Sequence, residues 1–263
     1  MTALFVFLTG YTLSALVITV GYHRGLAHGA LRLHPALRRF VVVFGNWITG
    51  LDPKGWSVMH RRHHAFSDTE QDPHSPVNVG LRGIVFEQLR SYEAVLRGLA
   101  RKDPEYTRFA SDLDFELNWL NRHGLWWLPY AVHVVAGLAI ALAWDPWVGL
   151  AWTLGILSHP LQGGAVNAMG HSIGGRNFAT ADQSTNNLLV AVLVAGEGYQ
   201  NNHHAWPESA KFSYRPWEAD WGFGACLLLE GLGLVTIDYE SLIAEVSPER
   251  CFPGLKETCA EPS

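Results

Sequence analysis

Cysteine is scarce in this chain of 263 residues: Cys226, Cys251 and Cys259 are the full set. They form no pattern that would staple a fold, and a cytoplasmic location would keep them reduced. None stands near a histidine, which argues against structural zinc and iron–sulfur sites. Charge is also thin, at 16% of residues against about 25% in an ordinary soluble domain. The net charge of −5, with its basic residues scattered, gives no footing for nucleic acid. Carboxylates do not alternate with histidines as they do in soluble carboxylate-bridged bundles. His-Glu-x-x-His is missing, which disfavours a zinc protease; Gly-x-Gly-x-x-Gly and Cys-x-x-Cys are missing too, so no reductase module is encoded. There are no internal repeats and no low-complexity runs.

What the chain has instead is apolar length and tryptophan. Hydrophobic residues reach 48%, with 11 Trp. Residues 3–20, 125–144 and 147–166 are apolar stretches of about 20 residues each, the length of a helix that crosses a bilayer. The last two meet at Asp145-Pro146, a tight turn, and read as a helical hairpin whose ends carry Trp126, Trp127, Trp144 and Trp147, as interfacial aromatics do. A signal peptide is rejected for residues 1–20, because no basic segment precedes the apolar run and a histidine cluster follows at once. Arg24, Arg32, Arg38 and Arg39 follow the first stretch, with Arg61 and Arg62 beyond. The positive-inside tendency therefore puts that side in the cytoplasm. The reading is all-α: an integral, multi-pass membrane helical bundle, one domain over residues 1–246, with a flexible tail at 247–263.

Thirteen histidines are present, and eight fall in four short clusters. These are His23 and His28; His60, His63 and His64; His171; and His203 and His204. Imidazole is available neutral near physiological pH and is the commonest protein metal ligand. A single ion takes three or four such groups, so eight suit two ions close together. Spacings of three and four (His60, His63, His64) share one helix face, while His23 and His28 are one residue too far apart for that. An all-nitrogen set suits iron, copper or zinc, and ligand type alone does not choose among them. The hairpin leaves and returns to one side, so all four clusters collect on the cytoplasmic face.

The motifs resemble those of the membrane-bound fatty acid desaturases, in particular the acyl-CoA Δ9 (stearoyl-CoA-type) branch. The resemblance rests on His-Arg-x-x-x-His at 23–28 and His-Arg-x-His-His at 60–64, followed by Asp72-Pro73-His74. It continues with Asn-x-x-x-His at 167–171 and Gly-Glu-Gly-Tyr-x-Asn-x-His-His at 196–204. It implies a cytoplasmic di-iron cap in which His23, His28, His60, His63, His64, His171, His203 and His204 bind metal and Asn167 reaches it through water. Asp68 and Glu197 would orient imidazoles through their outer nitrogens. It further implies O2 as co-substrate, a long-chain acyl-CoA or acyl lipid as substrate and a cis double bond as product. Electrons would come from a separate reductase and a ferredoxin-, rubredoxin- or cytochrome b5-like carrier, docking on a basic surface around Arg61, Arg62, Arg82, Arg90 and Arg97. Hydroxylation of an acyl chain, lipid or alkane on the same scaffold is the alternative; a non-enzymatic membrane metal-binding or transport protein ranks below it.

Three positions depart from the family pattern. Gln200 stands where many members have a further histidine ligand, so it is a possible substitute ligand through its carbonyl oxygen, with His159 as another compensating group. About twenty residues precede the first box, where members usually carry two spans. Val58 and Met59 precede His60 where animal acyl-CoA enzymes are charged. Of the other histidines, His34 is expected in a turn, His74 in a turn or beside a ligand, His123 at an interface, and His133 and His159 packed inside spans. Trp47, Trp56 and Trp152 are candidate linings of an acyl tunnel.

Overall fold

The computed structural model describes residues 1–72 and 74–243. The expected tail at 247–263, the last three residues of the 1–246 domain, and Cys251 and Cys259 lie outside the described residues.

The chain starts with α1 (Thr2–Leu16), which runs without a break into a π-helix, Val17–Ala27. Together, Thr2–Ala27 form 26 residues, the one described helix long and apolar enough to cross a membrane. The expected stretch 3–20 is therefore longer, and the first histidine cluster belongs to the same helix. The amide of His28 donates to the carbonyl of His23 at 3.1 Å, the i to i+5 bond that defines a π-helix. A spacing of five misaligns two side chains on an α-helix. The looser winding brings the two rings to 5.1 Å between centroids.

After a turn, β1 (Leu31–Leu33) leads into α2 (Pro35–Thr49). His34, expected in a turn, caps α2: its Nδ1 accepts from the amide of Ala36, Pro35 fills the first helical position, and Gly50 ends the helix at φ 77. α3 (Pro53–Phe66) is capped by buried Asp52, which accepts from the amides of Lys54 and Gly55 and also from Asn118 and Asn121. That one carboxylate pins the helix carrying His60, His63 and His64 to the loop ahead of α6. α4 (Pro76–Ala100) follows and is kinked at Gly80. Short helices α5 (Pro104–Thr107) and α6 (Trp119–Arg122) then lead to the hairpin.

The hairpin is α7 (Leu128–Ala143) and α8 (Pro146–Ile156), turning at Asp145, whose side chain caps α8. The stretch expected to continue to 166 does not: the chain breaks at Leu157 and Ser158 and restarts as α9 (His159–Gly170). Pro160 explains the break, since it has no amide hydrogen for the preceding turn and disfavours helical backbone at His159. α1 and α8 approach to backbone contact. A Cβ on Gly10 would meet the amide nitrogen of Ile156 at 3.0 Å, and one on Gly155 would meet the carbonyl of Phe7 at 2.7 Å. Small residues permit such helix pairs.

α10 (Leu188–Leu193), α11 (Gln200–Ala205) and α12 (Trp221–Gly231) complete the helices. The apolar run 225–237 ends as β2 (Val235–Ile237), paired antiparallel with β1 in the register Leu31–Ile237 and Leu33–Val235. The fold is thus mostly helical, with a two-stranded sheet that composition did not announce. Large apolar side chains face outward on α1 (Leu4, Phe5, Leu8), α2 (Phe40, Val43, Phe44, Trp47), α7 (Val135, Leu138, Leu142) and α8 (Leu150, Leu154).

Candidate metal centre

Four helices deliver the imidazoles to one place. The π-helix brings His23 and, at its end, His28; α3 brings His60, His63 and His64; His171 caps α9; α11 brings His203 and His204. They divide into two groups. His23, His28, His60, His64 and His203 form one, and His63, His171 and His204 the other, with the ligand atoms of each group within 4.8 Å of one another. In the larger group the Nε2 atoms face inward: His23–His203 at 2.9 Å, His28–His60 at 2.7 Å, His64–His60 at 3.0 Å and His64–His203 at 3.0 Å. Nitrogens bound at right angles to one ion, each about 2.1 Å away, lie about 3 Å apart. In the smaller group, Nε2 of His63 and His204 are 3.2 Å apart, and buried Nε2 of His171 has no hydrogen-bond partner. Both groups therefore fit a cation.

The outer nitrogens explain the orientation. His23 Nδ1 lies 2.6 Å from Glu197 and His171 Nδ1 2.9 Å from Asp68. His63 Nδ1 lies 3.0 Å from Asp72, and His204 Nδ1 2.6 Å from Asp182. A carboxylate that accepts from Nδ1–H fixes the tautomer and aims the Nε2 lone pair inward. Glu197, expected to orient an imidazole, lies against His23, and Asp68, expected to do the same, lies against His171. Asp72 and Asp182 were missed as partners: Asp182 sits in a loop without periodicity, whereas Asp72 was visible in Asp-Pro-His but carried no assigned role. Burial would push the Asp68 carboxyl up, but hydrogen bonds from His171, Ser75 and Gln183 outweigh it and bring it down to about 2. Burial likewise opposes Glu197, yet His23 and Arg24 hold it below the usual carboxylate range. Burial, aided by neighbouring imidazoles, pushes His60, His63, His64 and His203 well below the usual histidine value, so their lone pairs are free at neutral pH.

Glu197 is itself held in place. Arg24, wholly buried, reaches Glu197 at 3.3 Å, Asp220 at 3.2 Å and the carbonyl of Ala210 at 2.7 Å, with its guanidinium 3.6 Å above the Phe212 ring. The hydroxyl of Thr19 donates to Glu197 at 2.5 Å. Sequence reading used Arg24 only as a topology marker; its fork of partners makes it a brace behind His23.

His74 stacks on His63 at 4.6 Å and is buried. His63, Asp72 and His74 also form a compact set, but Nδ1 of His63 faces Asp72 while its Nε2 faces His204, so this trio supports the smaller group rather than making a third ion site. Asn167 donates to Gln88 at 2.9 Å, and Gln200 to the carbonyl of Glu197 at 2.8 Å. Neither belongs to the imidazole groups; both line the adjoining cavity. Arg61 and Arg62, expected on a docking surface, are engaged within the fold: Arg61 with Asp112 and the carbonyls of Leu26, Ala27 and Phe109, Arg62 with Glu105.

A narrow cavity of about 50 Å³ borders the larger group, walled by His23, Trp56, Met59 and His60 on one side and by α9 on the other. Trp56 stacks on His60 at 4.9 Å. Of the three tryptophans proposed for a tunnel, Trp56 is the one that lines this cavity.

Comparison with known proteins agrees with the geometry. The family model described as fatty acid desaturase matches residues 1–219. The chain belongs to the fatty acid desaturase family, and with it to the oxidoreductases of lipid metabolism. It is 32% identical over 243 residues to the hex-5-enoyl-[acyl-carrier protein] acetylenase of Moorena producens (strain JHB), covering 86% of this chain and 73% of that protein. It is 30% identical over 236 residues to the icosanoyl-CoA 5-desaturase of Limnanthes douglasii, covering 87% of this chain and 62% of that one. It is 31% identical over 246 residues to Delta-9 acyl-lipid desaturase 1 of Arabidopsis thaliana, covering 89% and 74%.

Proposed function

We propose that the protein is an O2-dependent, integral membrane fatty acyl desaturase that places a cis double bond, at C9 on the sequence resemblance, in a long-chain acyl-CoA or acyl lipid. One observation carries the reading: eight imidazoles converge in a group of five and a group of three, four of them backed by carboxylates, beside a cavity. In this reading the two groups hold two iron ions. When bound, the iron supplies the O2-derived oxidant that an unactivated C–H bond requires and side chains cannot provide. The protein's own part is positioning. Ile18, Val166 and Val194 offer apolar wall to a chain, and Trp56, stacked on His60, sets how closely a methylene approaches the larger group. Glu197, Asp68, Asp72 and Asp182 hold their imidazoles so that the lone pairs stay aimed. Asn167 would reach the ion of the smaller group through water, and Gln200 would offer a carbonyl oxygen where many family members have a further imidazole.

The long first helix, the hairpin of α7 and α8, and the exposed Trp144 and Trp147 at its turn support several passes through a bilayer, with the imidazoles on the cytoplasmic face. Two electrons per turnover come from a separate carrier and reductase. The test is the fatty acid profile of a host expressing the chain, with double-bond positions fixed by mass spectrometry, beside His63→Ala. New unsaturated chains that vanish in the variant are expected, and their position decides between C9 and the C5 of some relatives. A product heavier by one oxygen would replace desaturation with hydroxylation. No acyl product from iron-loaded protein supplied with electrons would overturn both.

A further inference from the structure

The cavity does not stay apolar with distance from the imidazoles. α9 lines it with His159, Gln162, Gly163, Val166 and Asn167, whose spacing marks one helical face. Asn167 stands one turn from His171. His159 lies eight residues further back, about 12 Å along the axis at a rise of 1.5 Å per residue. On the facing wall α1 contributes Ala15, eight residues before His23. Since α1 and α8 pack with Gly10 against Ile156, Ala15 and His159 belong to the same far end.

That far end is polar and unmet. His159 and Gln162 are each 4% exposed. Neither ring nitrogen of His159 has a partner, nor does Oε1 of Gln162, whose Nε2 donates to Ser158 at 2.7 Å. His133, in the other arm of the hairpin, is met at one nitrogen: its Nε2 donates to the carbonyl of Trp47 at 2.6 Å, while its Nδ1 has no partner. The His159 imidazole lines the cavity together with Gly163 and Gln88, and a Cβ on Gly163 would lie 3.7 Å from His159 Nε2 and 3.1 Å from Gln88 Nε2. Buried donors and acceptors left unmet destabilise a protein, and a plain methylene chain would leave all three unmet.

We infer that the preferred ligand is a fatty acyl chain bearing a hydroxyl group on the part of the chain remote from the imidazole groups, received by His159 and Gln162. A neutral imidazole offers one donor and one acceptor, and Gln162 Oε1 adds an acceptor. A hydroxyl donates to one acceptor and accepts from the donor, whereas a keto oxygen uses the donor alone. The anchored oxygen also acts as a ruler, fixing which methylene stands beside His60. The inference rests on the acyl-chain reading of the cavity given above.

The experiment uses iron-loaded protein with an electron donor and acyl substrates of equal length, either plain or with a hydroxyl or keto oxygen moved stepwise along the chain. The hydroxylated chain is expected to exceed the plain one in kcat/KM by about tenfold or more at one best position, the keto chain falling between. His159→Leu removes the preference chiefly through KM, while His159→Gln, which keeps a donor and an acceptor, retains it. Without electrons, the hydroxylated chain raises the melting temperature of wild type and of His159→Gln but not of His159→Leu. Equal use of plain and hydroxylated chains, or a preference that survives His159→Leu, overturns the inference and leaves desaturation standing. Failure to oxidise any chain overturns the parent reading, and the melting shifts still decide whether His159 receives a hydroxyl.

Discussion

Asp182 reaches the outer nitrogen of His204 from a loop that no pattern in the chain picks out. Burial opposes its charge, but His204, Ser184 and Thr180 hold its carboxyl far below the usual range, so it accepts from His204 across the physiological range. An asparagine there keeps the shape and loses the charge. Asp182→Asn is expected to lower metal affinity by about 10- to 100-fold, read as iron retained after dialysis against a graded chelator, with helix content unchanged. Full retention would remove the carboxylate from the site's working parts. The eight histidines were visible in the sequence because imidazole pairs and triplets at short spacing have few other uses. Asp182 was not, since its role exists only once the loop before α10 lies beside α11. Arg24 was hidden for a related reason: a lone arginine beside an apolar stretch reads as a topology marker until Glu197 and Asp220 arrive from the far end of the chain.

Among the helices, the seam between α1 and α8 leaves no room for an added methyl group at Gly155. A side chain at Gly155 would run into the backbone of Phe7, and overpacking of this kind costs about 1–3 kcal/mol. Gly155→Leu is therefore expected to lower the melting temperature in detergent by several degrees, and Gly155→Ala by less. A melting curve for Gly155→Leu that overlays the wild type would mean the helices do not meet there. Apolar length marks the chain regions that hold α1, α7 and α8, but not where those helices end. The stretch 147–166 reads as one span because apolar content is continuous through Ser158-His159-Pro160, whereas backbone geometry at Pro160 splits it into α8 and α9. The π-helix escaped for the opposite reason, since no residue type announces it. Its only trace is the five-residue gap between His23 and His28, which an α-helix fails to bring together.

Across the whole molecule, outward-facing leucine, phenylalanine, valine and tryptophan recur on α1, α2, α7 and α8, and large exposed apolar faces mark contact with a membrane or a partner. The chain is expected to stay with the membrane pellet through an alkaline carbonate wash and to leave it only in detergent; recovery in the wash would contradict multi-pass insertion. α2 contributes Phe40, Val43, Phe44 and Trp47 to this surface. Arg38 and Arg39 near its start interrupt the apolar run in sequence, which kept it out of the expected spans.

The pairing of His23 with His203 across 180 residues has a consequence for how the protein is made. Neither imidazole group is complete until α11 has left the ribosome, long after the π-helix that precedes it in the chain. A nascent chain that stops short of α11 thus carries six of the eight imidazoles, four of the larger group and two of the smaller, and completion of both ion cages waits for that helix. A chain interrupted before residue 203 would fold its opening helices and still have no complete cage for an ion.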